Sequence, residues 1–262
     1  MASGAAEPSP VVRAVADLLR EGRVVALTGA GISVDSGIPD FRSAGGLWER
    51  YDPATYATID AFRRDPDRVW MMLREMDDVI RRARPNAGHH ALAAMERAGL
   101  LEAVVTQNVD DLHQEAGSRR VVEFHGNARR IECASCGGAV PAESVGPGPG
   151  APRCGRCGGV LRPMVVFFGE PIPPAAMREA AESAAACRTM LVVGTSATVA
   201  PASMLPLLAR QSGARLVEVN IEPTCLSALA DVSVTGRSAT EVLPEIAAAA
   251  GCRPPLDECG DG

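Results

Sequence analysis

The run RVVALT at 23–28 stops at GAG, residues 29–31, and that junction restricts the fold more than any other feature of the chain. A short β-type run ending in a glycine-rich turn is how a nucleotide-binding βα unit begins. Similar runs follow: AVVTQN (103–108), VVEFH (121–125), MLVVGTS (190–196), ARLVEVN (214–220) and DVSVTG (231–236). Segments of helical spacing lie among them at 10–21, 87–98, 174–187, 202–211 and 240–249. Alternating strands and helices predict an α/β fold built on a doubly wound, parallel, Rossmann-like sheet. Several strands end in small or polar residues, as TGAG, TQNVD, FHG, VGTS and EVN. In an open α/β sheet the ligand lies beyond the carboxyl ends of the strands, so these ends point to one shared site. Residues 43–84 contain no strand pattern; a loop, SAGGLWERYDPATY, leads to an Arg-rich helix over 67–84 that ends at Pro85.

The cysteines mark a second unit. Cys133 and Cys136 form one CxxC pair, Cys154 and Cys157 another, with 17 residues between the pairs. This is zinc-ribbon spacing, and four thiolates make a closed, structural site, because catalytic zinc keeps an open position. The stretch between the pairs, AESVGPGPGAPR, reads as a flexible loop with no ligand. Cys187, Cys225, Cys252 and Cys259 are scattered and read as core fillers or free tail thiols. A filled shell leaves no coordination for His125, eight residues before Cys133; its place at a strand end, before Gly126, assigns it to the shared site instead.

Composition removes several alternatives. The net charge of −6 argues against a nucleic-acid partner, which requires a basic face. All 26 basic residues are Arg, so Schiff-base and P-loop lysine chemistry are excluded, and the protein cannot modify lysines of its own. No apolar run is long enough to span a membrane, no secretory signal is visible, and CxxC pairs suit a reducing compartment, so the chain is expected in the cytoplasm. A binding module built on the ribbon, with Arg129, Arg130, Arg153 and Arg156 around it, is the rival reading; four arginines are more often a solvated face.

GAGISVDSGIPDFR (29–42), TQNVDDLH (106–113), FHG (124–126), the two CxxC pairs, RPMVVFFGE (162–170), VGTSATVAP (193–201) and VNIEPT (219–224) stand in an order that resembles the sirtuins, NAD-dependent protein deacylases. Gly29 and Gly31 would let the backbone approach a pyrophosphate. The third glycine of the dinucleotide fingerprint and an acidic residue ending the second strand are both missing, which disfavours an ordinary dehydrogenase. The resemblance implies that Ala30, Gly31, Ile32, Asp40, Phe41 and Arg42 form the cofactor loop. It implies further that Gln107, Asn108 and Asp110 line the nicotinamide and ribose pocket. Gly194, Thr195 and Ser196 would meet the phosphate and ribose region, and Asn220 with Glu222 the adenosine ribose. The implied cofactors are NAD and one structural zinc. The implied reaction transfers the acyl group of an acyl-lysine to ADP-ribose, releasing nicotinamide, O-acyl-ADP-ribose and free lysine. His125 is then the general base on a ribose hydroxyl, with Asn108 beside it as the second catalytic residue. Transfer of ADP-ribose to a protein acceptor from the same site is the alternative.

Val166, Phe168, Gly169, Glu170 and Val199 resemble the cleft in which an acylated peptide adds as a strand. Met164 and Ala200 depart from the family pattern there. Sirtuins that remove succinyl groups carry a Tyr-x-x-Arg pair on the helix after the cofactor loop. Here that alignment places Leu73 and Met76, with Val34 narrowing the pocket, so neutral acyl groups are expected to be preferred. Arg74 is expected on another helix face, two residues being about 200° of turn. The same reading divides the chain into a Rossmann-like unit (10–45, 85–128 and 162–250), a small unit (helical insertion 46–84 and zinc ribbon 129–161), and tails at 1–9 and 251–262.

Overall fold

The computed structural model describes residues 7–40, 47–142, 145–146 and 148–252. Six strands, β1 (Val24–Thr28), β2 (Leu101–Thr106), β3 (Val121–Glu123), β7 (Thr189–Val193), β8 (Arg215–Asn220) and β9 (Val232–Thr235), form one parallel sheet in the order β3-β2-β1-β7-β8-β9. Every residue of β1 and of β7 is buried. Such strands are covered on both faces and read as continuous apolar runs, which is why the sequence exposes them.

Helices cover both faces. Helices α1 (Pro10–Arg20), α6 (Ala87–Arg97) and α10 (Ala239–Ala249) pack over one side, around Val15, Leu19, Leu92, Leu191, Val217 and Leu243. The other side holds α8 (Pro174–Ala186) and α9 (Leu205–Gln211), around Leu27, Phe124, Met190, Leu205 and Leu216. Cys187 and Cys252 are buried in these two cores as fillers, while Cys225 is exposed. Cys259 lies outside the described residues.

A third core lies apart from both. Helices α4 (Ile59–Arg64) and α5 (Pro66–Arg82) pack Phe62, Val69 and Trp70 against Ile131, Cys133, Leu161 and Phe167. Trp70 donates its indole N–H to the Leu161 carbonyl at 2.8 Å, and the Phe62 and Phe167 rings stack at 5.4 Å. The partner surface is a three-stranded antiparallel sheet, β5 (Ala139–Val140), β4 (Gly126–Cys133) and β6 (Leu161–Val165), in that order.

Two local expectations fail. The stretch expected as a loop contains two single-turn helices, α2 (Leu47–Arg50) and α3 (Pro53–Tyr56). Asp52 caps α3 by accepting from the Ala54 N–H at 3.2 Å, and Pro53 presets its first turn. After β1 the chain makes two 3-10 turns, Ala30–Ile32 and Val34–Ser36, in place of a regular helix.

Candidate functional site

The sheet order reverses between β1 and β7, and a cleft opens there beyond the carboxyl ends of the strands. It is a cavity of about 740 Å3 that continues beneath α5. Gly29, Ala30, Gly31, Asp40, Gln107, Asn108, His125, Gly194, Thr195, Ser196, Asn220 and Glu222 all border it, as do Val166, Phe168, Gly169, Glu170 and Val199. Ile32 and Asp110 stand behind that surface, both buried, and Phe41 and Arg42 lie outside the described residues.

Gly29 and Gly31 prove to serve the contact between two loops. Their N–H groups donate to the carbonyls of Val193 and Gly194 at 3.1 and 2.8 Å. A Cβ on Gly31 would stand 2.8 Å from the Cα of Gly194, so the β1 and β7 loops can touch only with glycine at that point.

Behind the cavity lies a buried polar chain that joins the expected Asn108 and Asp110 to Ser33, His89, His113 and Thr28, which sequence reasoning missed. Ser33 donates to Asp110 Oδ2 at 2.7 Å and accepts from Asn108 Nδ2 at 3.1 Å. The second amide hydrogen of Asn108 goes to the Gly29 carbonyl at 3.1 Å. Both donors of Asn108 are thereby committed, leaving its Oδ1 acceptor for a ligand. His89 accepts the Asn86 N–H at Nδ1, so its Nε2 is the donor facing the Ser33 hydroxyl at 3.4 Å. His113 meets Thr28 Oγ1 at 2.9 Å and packs against the His89 ring at 4.9 Å. Burial lowers the pKa of His89 to about 4 and takes His113 well below the ordinary imidazole value. The same burial raises that of Asp110. The hints in the sequence were His113, at the end of TQNVDDLH, and His89 in an Ala-rich helical stretch, neither separable by itself from an ordinary core residue.

His125 stands at the cavity wall where β3 gives way to β4. Its Nδ1 lies 3.0 Å from the Gln107 carbonyl, which can only accept. The proton is therefore on Nδ1, and Nε2 carries the basic lone pair. Burial lowers its pKa and the carbonyl bond partly offsets this, so the neutral base prevails at neutral pH. Gln107 is itself tied to Thr195 Oγ1 at 3.0 Å. Glu170, expected in the peptide cleft, has both carboxylate oxygens bound by Arg162 at 2.7 and 2.6 Å, and it accepts the Phe167 N–H at 3.0 Å. It therefore holds the 167–170 turn.

Beneath α5 the cavity is bordered by Val34, Trp70, Met72, Leu73, Met76, Ile80 and Ile131. Arg74, expected on a different face, borders it too, because a long side chain can reach across the helix. Its guanidinium lies over the Trp70 ring at 5.4 Å and donates to the carbonyls of Gly146 and Gly150 at 3.0 and 3.1 Å. Arg81, the other guanidinium there, pairs with Asp77 at 2.6 Å.

The four thiolates converge separately from this cavity. All four Sγ atoms lie within 4.8 Å of one another, with Cys133–Cys157 at 3.5 Å and Cys136–Cys154 at 3.9 Å. A tetrahedral zinc with Zn–S bonds of about 2.3 Å needs sulfurs about 3.8 Å apart, so the set fits a structural ion. Hydrogen bonding by Arg156 lowers the Cys136 thiol to about 6, whereas the neighbouring Cys133 and Cys136 push Cys157 up to about 12. His125 is not part of the cluster.

Comparison with known proteins agrees with this geometry. Residues 29–201 match the model of the Sir2 family. The NAD-dependent protein deacylase 2 of Pyrobaculum aerophilum is 51% identical over 88% of this chain and 93% of its own length. The NAD-dependent protein deacylase of Thermococcus kodakarensis is 46% identical over 88% and 92%. A solved Sir2 homologue–NAD complex superposes with a TM-score of 0.85 at 40% identity, covering 91% of this chain and 93% of the other. The chain belongs to the Sir2 family.

Proposed function

We propose that the protein removes acetyl and other neutral acyl groups from lysine side chains of proteins, using NAD and leaving nicotinamide and O-acyl-ADP-ribose. The observation that carries this reading is one cavity that joins polar strand ends at β1, β7 and β8 to a largely apolar chamber under α5, with His125 on its wall. The strand-end residues Gly29, Gly31, Thr195, Ser196, Asn220 and Glu222 would hold NAD, which when bound would supply the ribose carbon that exchanges nicotinamide for the acyl oxygen. His125 Nε2 takes a proton from a ribose hydroxyl, a role suited to an imidazole kept neutral at physiological pH. Asn108, its amide hydrogens committed, orients a hydroxyl or water through Oδ1. Val166, Phe168, Gly169 and Val199 border the path of the lysine stem. Zinc on the four cysteines has a structural role, holding the β4–β6 sheet against α4 and α5. No helix among the described residues is long and apolar enough to cross a membrane. The CxxC pairs, which suit a reducing compartment, and the use of NAD support a cytoplasmic location.

The chamber under α5 decides the acyl class. Leu73, Met76 and Val34 offer a carboxylate no charge, and the nearby guanidiniums of Arg74 and Arg81 already serve protein acceptors. An unpaired buried carboxylate costs several kcal/mol. Kinetics on acetyl-, butyryl- and succinyl-lysine forms of one peptide test this. The neutral groups should be removed at least tenfold faster; a succinyl kcat/KM equal to the acetyl value would refute the assignment of the chamber.

A further inference from the structure

Glu218 is a buried carboxylate for which the cavity chemistry has no use. It lies on β8 between Val217 and Val219 and is only 2% exposed. Among the described residues no cation pairs with it. An ionised carboxylate in that position is costly unless its lone pairs are filled, and here hydroxyls fill them. Thr224 donates to Oε1, while Ser227 and Ser233 donate to Oε2 at 2.5 and 2.7 Å.

The direction of these bonds matters. A carboxylate only accepts, so Thr224 and Ser227 must turn their protons toward it and keep their lone pairs for other donors. Those donors are backbone groups of the same turn: Leu226 N–H to Thr224 Oγ1 at 3.1 Å, and Thr224 N–H to Ser227 Oγ at 2.8 Å. The turn at 224–227 is thus locked to the strand beneath it. It begins two residues after Glu222, which with Asn220 borders the polar end of the cavity. Asn220 Nδ2 holds the Glu222 carbonyl at 3.0 Å from the other side. The turn also reaches the β7 loop, where the Cys225 thiol faces the Ala197 carbonyl at 3.7 Å.

We propose that Glu218, caged by three hydroxyls, is a positioning residue for the adenosine half of NAD, fixing the 220–227 loop in its binding form before the cofactor arrives. A pre-formed loop spares the cofactor the cost of selecting one conformer from several. The assignment rests on the placement of the dinucleotide across the strand ends given above. It predicts an effect mainly on cofactor affinity, since the residues of this loop that border the cavity, Asn220, Ile221 and Glu222, lie at its polar end.

Titration calorimetry with NAD and with ADP-ribose, on Thr224→Val and Ser227→Ala, tests it without emptying the strand of its carboxylate. Each should weaken both ligands by roughly tenfold, the usual worth of one hydrogen bond to a charged group. The zinc content, the KM for acylated peptide and kcat at saturating NAD should stay unchanged. Glu218→Gln, which keeps one acceptor oxygen, should lose less than either. Affinity within twofold of wild type in both hydroxyl variants, or kcat falling in step with affinity, would overturn the assignment. Failure of the wild-type protein to bind ADP-ribose would overturn the cofactor placement, and this assignment with it.

Discussion

At the level of single residues, the carbonyl of Gln107 leaves His125 one tautomer, with the basic nitrogen free. Because burial lowers the pKa of this imidazole, the acid limb of kcat/KM should have its midpoint below the free-imidazole value of about 6.5. Activity should be level through neutrality; a midpoint at or above that value would contradict a buried neutral base. His125→Ala should retain zinc, fold and NAD binding, because the ring lies outside the thiolate cluster. Its deacylation should fall by about 10²- to 10⁴-fold, the usual cost of losing a general base. Zinc loss in that variant would mean that the histidine supports the metal unit.

Among the elements, the zinc knuckles and α5 depend on one another. Cys133 and Cys154 are buried in the same core as Phe62, Val69 and Trp70, so the cysteine cluster and the helix bordering the cavity share a wall. Cys154→Ala should abolish stoichiometric zinc, lower the melting temperature and reduce activity indirectly. Full activity in a zinc-free variant, measured by elemental analysis and turnover together, would show that the ribbon is dispensable. The elements were unevenly legible. Strands β1 and β7 stood out because burial on both faces makes them almost wholly apolar, and β8 because Leu216, Val217 and Val219 form a buried run around Glu218. Helices α2 and α3 did not, since four residues make one turn and show no period; only Asp52-Pro53 marked a start. Strand β4 was hidden because its burial does not alternate cleanly and its register shifts between Asn127 and Ile131.

For the whole molecule, the polar layer under the cavity couples stability to pH. The unfolded chain titrates its histidines near 6.5, whereas His89 is held at about 4 and His113 lower still. Between those values the unfolded state binds more protons, so this stabilisation is complete above pH 6.5 and is lost as pH falls toward 4. His89 alone contributes about 3 kcal/mol on this scale. Asp110, raised by burial, acts in the opposite sense. Melting temperatures should therefore drop steeply below pH 6.5, with a shallower slope in His113→Asn; equal slopes would assign the effect elsewhere. Of this layer the sequence marked Asn108 and Asp110 but not Ser33, His89 or His113, because Ser33 meets partners 56, 75 and 77 residues away and only the folded sheet brings them together. The cavity lining was legible where strand ends carry it. The roles of Glu170 and Arg74 were not, since each depends on a partner fixed only by tertiary packing. The central claim is that a single cavity couples cleavage of NAD to removal of an acyl group. It is tested most directly by following nicotinamide, free lysine and O-acetyl-ADP-ribose together in one reaction of the protein with NAD and an acetylated peptide. The three products should appear in equal amounts, none without the acetyl group. Nicotinamide released with unacylated peptide, or ADP-ribose left covalently on protein, would contradict it.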